Sequence, residues 1–157
     1  MKKSHLLPFF ILSFTLLPSQ QTMATPASMV AVGLGVEYGG LGAQVFLPVR
    51  FDNLELYLSA GLMGYSSPGD HFGGGGGIGS NLYFAPNHSL GLYAGVVSLE
   101  REHDPYGMTS GFEYKVGGSL NYKFHFAKKG ASGGSLGVSY NVYDGGSYPF
   151  ISLGYRF

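Results

Sequence analysis

From residue 30 onward, apolar side chains recur at every second position, and the face they form carries no charge. A repeat of two belongs to the β-strand, whose successive side chains point to opposite faces. The clearest run is Gly111 to Phe126. Phe112, Tyr114, Val116, Leu120, Tyr122, Phe124 and Phe126 share one face, while Glu113, Lys115, Gly117, Ser119, Asn121, Lys123 and His125 share the other. Ser147 to Phe157 repeats the pattern, and so does the segment holding Leu136, Val138, Tyr140 and Val142. Val30 to Tyr38, Leu41 to Val49, Leu54 to Met63, Ile78 to Phe84 and Ser89 to Val96 read the same way. Between them lie turn-forming stretches: Gly39-Gly40, Phe51 to Asn53, Ser66 to Phe72, Ala85 to His88, Glu100 to Thr109, Ala127 to Gly133 and Asp144 to Gly146. This predicts eight strands of about ten residues, the length a tilted strand needs to cross a hydrocarbon layer.

Alternation alone fits a soluble barrel or sandwich as well, with the apolar face turned inward. The other face decides between them. Water would have to solvate it, yet only 11% of the chain is charged and 27 residues are glycine. That face holds mainly Gly, Ser, Asn, Gln and Tyr, with Glu37, Arg50, Glu55, Glu113, Lys115, Lys123, His125 and Arg156 as its ions. Such residues suit the interior of an eight-stranded barrel, which side chains fill completely. The ions are expected to pair there as a closed lumen network, because buried charge requires partners. A charge on a lipid-facing side would cost about 2–4 kcal/mol near the midplane, which accounts for its absence. Aromatics at the ends of the apolar face read as interfacial girdles: Phe84, Phe124, Phe126, Tyr155 and Phe157 at one end, Tyr38 and Phe112 at the other. The fold expected is therefore all-β, an eight-stranded antiparallel up-and-down transmembrane β-barrel.

The first 24 residues read as a cleaved signal peptide. Lys2 and Lys3 form a positive start, Leu6 to Leu17 an apolar stretch too short to span a bilayer, and Thr22 and Ala24 the small residues of a cleavage site. Residues 25–157 then form one barrel domain. The absence of cysteine excludes disulfides, thiolate metal sites and thiol nucleophiles, and nine basic against nine acidic residues leave no field for nucleic acid.

The chain ends on Phe157, with Tyr155, Leu153 and Ile151 at the alternate positions before it. Together with the signal peptide, this terminal strand resembles those of the small OmpA/OmpX-type outer-membrane barrels of Gram-negative bacteria. The resemblance implies an outer-membrane location, lipid and lipopolysaccharide surroundings, and recognition of Ile151, Leu153, Tyr155 and Phe157 by the barrel-assembly machinery. It implies no functional residues. A monomer without cofactor or metal is expected.

Three features invite a chemical reading. Gly73 to Gly79 looks like a phosphate-binding loop but lacks the helix that must follow one. It is expected instead to leave room in the lumen for Tyr57, Tyr83 or Tyr93. In the expected topology the Ser66–Phe72 and Glu100–Thr109 connections face outward. They carry Asp70-His71 and His103-Asp104, with Ser66 and Ser67 nearby. A Ser–His–acid set at the outer rim would suit a lipid A deacylase. Solvated loop residues on a non-enzymatic envelope or surface-contact protein are the leading reading, that enzyme the alternative, and a narrow pore the third.

Overall fold

A computed structural model describes residues 29–66, 71–101 and 111–157. In it, eight antiparallel strands close into an up-and-down barrel in chain order. They are β1 (Val30–Gly35), β2 (Gly40–Leu47), β3 (Leu54–Ser66), β4 (His71–Ala85), β5 (His88–Arg101), β6 (Phe112–His125), β7 (Gly133–Tyr143) and β8 (Gly146–Arg156). Closure runs from Ala31↔Arg156 to Leu34↔Leu153, so no strand is left as an open edge of the kind that invites aggregation. Both termini of the described barrel lie at one end, where the Phe157 amide donates to the Val30 carbonyl at 3.1 Å. We call this the terminal end, and the opposite one distal.

The alternation translates directly into two faces. Val32, Val45, Leu58, Ile78, Leu92, Val116, Leu120, Val138, Tyr140 and Ile151 stand on the outer surface, with Val116 70% exposed. Gln44, Tyr57, Asn81, Ser89, Asn121, Lys123, Asn141 and Ser152 are buried inside. The usual rule of apolar inside and polar outside is inverted.

The strands depart from the sequence reading in four places. β4 starts at His71 rather than Ile78, so the glycine run is strand, paired Gly61↔Gly75 and Gly77↔Gly95. Its inward glycines do make room for tyrosines: a Cβ on Gly79 would collide with the Tyr57 ring and hydroxyl, and one on Gly77 would stand 2.8 Å from the Tyr93 hydroxyl. β3 and β5 run on to Ser66 and Arg101, which makes two tall distal hairpins. β2 stops at Leu47, leaving Arg50 in an exposed turn.

The fourth departure shapes the lumen. Val36 to Tyr38 do not continue β1 with Val36 and Tyr38 facing outward; they form a single 3₁₀ turn folded into the barrel, where all three residues are buried. Tyr38 is therefore not a girdle residue. The turn fits because the neighbouring inner face is glycine: a Cβ on Gly33 would come within 2.7 Å of the Tyr38 ring. Gly39 ends the turn at φ +75° and packs on backbone, its missing Cβ lying 2.6 Å from the Gly75 oxygen and 2.8 Å from the Gly61 nitrogen. Left-handed backbone in a non-glycine residue costs of order 1–3 kcal/mol, before any clash. Gly39→Ala is accordingly expected to destabilise the barrel by about 2 kcal/mol or more, read as a lower urea midpoint of the refolded protein in micelles.

Candidate functional site

Side chains of opposite charge close the lumen from the terminal end. Arg156 Nη1 lies 2.8 Å from Glu55 Oε1, and the Tyr83 hydroxyl donates to Glu55 Oε2 at 3.0 Å. The Arg156 guanidinium rests 3.9 Å from the centre of the Phe46 ring. Beneath them the β6–β7 turn crosses the barrel mouth. Its Lys129 ammonium donates to the carbonyls of Asp52 at 2.6 Å, Leu54 at 3.1 Å and Phe51 at 3.3 Å, tying two turns together. His125 lies beside the network, Nε2 2.9 Å from Ser89 Oγ and its ring against Tyr83. A cavity of about 20 Å³ remains, enough for about one water molecule.

Halfway up, a second pair spans the lumen. Lys123 Nζ lies 3.2 Å from Glu37 Oε1, with the two side chains 2% and 0% exposed. The ammonium also stands over the rings of Tyr38 at 4.9 Å and Tyr57 at 5.5 Å, placements that favour a desolvated cation. Gln44 holds the inward turn by donating from Nε2 to the Glu37 carbonyl at 2.9 Å. Asn81, Asn121, Asn141, Ser59 and Ser152 are buried in the barrel as well. An ion traversing the barrel would have to break both pairs and displace the Tyr38 turn. Purified protein in planar lipid bilayers is therefore expected to give no steady single-channel steps.

The distal half is different in kind. Slips in the ladder between Leu62 and Gly64 and between Val96 and Ser98 interrupt the period of two. The second slip buries Val97 completely, its carbonyl accepting a hydrogen bond from the Tyr148 hydroxyl. Val36, Met63, Leu99 and Phe150 join these residues around a cavity of about 290 Å³. Phe112 is not a girdle aromatic; it is half-buried, close to Gly64 and Gly73. Small polar residues, expected throughout the lumen, fill its lower and middle levels but not this one.

Of the eight ions assigned to the lumen, Glu37, Glu55, Lys123 and Arg156 meet there as two pairs, with His125 beside them. Arg50 lies in the exposed β2–β3 turn. Lys115 pairs at the distal end with Glu113 at 2.6 Å and Glu100 at 3.4 Å, and Glu113 is exposed. The structure adds Tyr83, Gln44, Tyr38 and Lys129 to the network. Alternation alone places Tyr83 and Gln44 on the inward face, whereas Lys129 comes from a turn whose path a period of two does not determine. Among the loop residues weighed for catalysis, Ser66 and His71 occupy paired backbone positions at the tip of β3 and β4. Ser67, Asp70, His103 and Asp104 lie outside the described residues. Ile151, Leu153, Tyr155 and Phe157 are all exposed on the outer face of β8 and just beyond it.

Comparison with protein-family models, curated proteins and solved structures returned no match. The closed barrel itself and its two unlike halves thus carry the functional argument.

Proposed function

We propose that this chain is a small integral outer-membrane barrel that catalyses no reaction and serves the envelope through its distal hairpins, as a structural element or a surface contact. One observation carries the membrane reading: the outer face is an uncharged apolar belt that runs round all eight strands. Soluble monomers rarely expose a contiguous apolar patch beyond about 300–600 Å², and a belt of this kind in water would drive aggregation. Aromatic clustering supports it. Phe84, His88, Tyr122, Phe124 and Phe126 form a continuous outer group near the terminal end, with neighbouring ring centres 5.2–6.4 Å apart. His88 Nδ1 and the Tyr122 hydroxyl lie 2.7 Å apart in that group. Amphipathic rings of this sort favour the headgroup level.

The test is fractionation together with gel migration. The full chain is expected in the outer-membrane fraction, migrating faster unheated than boiled. Recovery in the soluble fraction with no heat-dependent shift would remove the proposal. The absence of catalysis is tested separately, because Ser66 and His71 pair at a distal tip. Lipid A from cells with and without the protein is expected to give the same mass spectrum. A mass difference lost in His71→Ala would favour the deacylase reading instead.

A further inference from the structure

The distal cavity opens sideways as well as upward. β1 ends at Gly35 and its hairpin with β2 is closed by the inward-folded 3₁₀ turn, so the barrel wall is low there. β8 pairs with β1 only up to Leu34↔Leu153, and β3 pairs with β2 only up to Leu41↔Leu62. Beyond those pairs, the upper parts of β8 and β3 flank a notch. The cavity runs through it: Val36, Met63, Val97 and Phe150 line the inner part, and Leu34, Leu41 and Leu62 the outer part. Those three leucines are exposed members of the outer belt, so one uncharged apolar surface passes from outside the barrel to its interior. Below, the buried Glu37–Lys123 pair and the Tyr38 turn close the floor. The space is therefore blind, suited to holding a chain rather than passing one through.

We propose that this notch admits one acyl chain of a surrounding membrane lipid into the distal half of the barrel. The proposal rests on the membrane reading above. An alkyl chain matches the walls above that floor, whose side chains carry no charge and whose Tyr148 hydroxyl is already used on Val97. The volume, about 290 Å³, lies near the lower end of ligand pockets and suits a slender occupant.

The protein contains no tryptophan, so a single introduced one reports its own surroundings. Phe150→Trp and Met63→Trp mark the notch, Leu153→Trp the outer belt, and Phe46→Trp the closed lower lumen. Each full-length variant is reconstituted into phosphatidylcholine vesicles with or without bromine on the acyl chains, after a heat-shift gel confirms folding. Bromine quenches on contact. Phe150→Trp and Met63→Trp are expected to lose the same share of emission as Leu153→Trp, and Phe46→Trp little. If Leu153→Trp is quenched but Met63→Trp is not, the barrel lies in lipid and the acyl-chain proposal fails. Met63→Trp reached only by aqueous iodide, or by neither quencher, fails it too, the latter result pointing to the 102–110 connection as occupant. Should Leu153→Trp itself resist bromine, the membrane reading fails first and this proposal with it. Phe150→Trp, a ring-for-ring exchange, keeps the test available if Met63→Trp does not fold.

Discussion

Lys123→Met is expected to destabilise the barrel by about 3–5 kcal/mol, the usual effect of removing one member of a buried ion pair. Its partner Glu37 is fully buried and would be left without a counter-ion, neither carboxylate oxygen having a hydrogen-bond partner among the described residues. The reverse change, Glu37→Gln, is expected to be milder, because the ammonium keeps the faces of Tyr38 and Tyr57. Combining Glu37→Gln with Lys123→Met should recover most of the loss, since replacing both charges is often neutral or better. Urea unfolding of all four proteins in micelles forms the cycle. Equal losses in both single variants and no recovery in the double would mean that the two charges do not stabilise the barrel as a pair.

A second large effect is expected on the opposite face. Leu120 is 56% exposed on β6, in the middle of the apolar belt. In water, Leu120→Arg would be near neutral, as exposed substitutions usually are within about 0.5 kcal/mol. In a bilayer, arginine near the midplane costs about 2–4 kcal/mol. The expected result is a loss in that range when stability is measured in lipid vesicles, with Ser119→Ala one residue away as an inward-facing comparison. Stability of Leu120→Arg in lipid equal to that of the parent would contradict the membrane reading directly. Because Lys123 and Leu120 lie on opposite faces of one strand, the two experiments ask separate questions of β6.

How far the sequence carries the fold can be judged strand by strand. β6, β7 and β8 are legible because unbroken alternation leaves one register that buries the polar side. The alternation understates β4 because glycine has little strand preference, and the length of β3 and its pairing with β4 draw Gly73 to Gly77 into the ladder. It overstates β1 because Val36 and Tyr38 keep the period of two, although the chain has already left the sheet. Glu55, Lys123 and Arg156 were recognisable as lumen ions from their faces. Their pairing was not, since partners on β3 and β8 meet only across the closed barrel. The apolar distal cavity was concealed for a related reason: a slip in register reverses which residues face inward, and Val97 follows from such a slip.

By itself, then, the sequence determined that this chain is a barrel turned inside out, with aliphatic and aromatic residues on one face and glycine, amides and ions on the other. That much is local, because the direction of each side chain in a strand depends only on its place in the alternation. Tertiary structure alone decided that Val36 to Tyr38 fold inward, that Glu37 meets Lys123 and Glu55 meets Arg156, and that the distal half is apolar and open at one side. These depend on closure, on ladder slips and on where glycine leaves space. Distances between strands set all three, and a single strand's periodicity does not contain them.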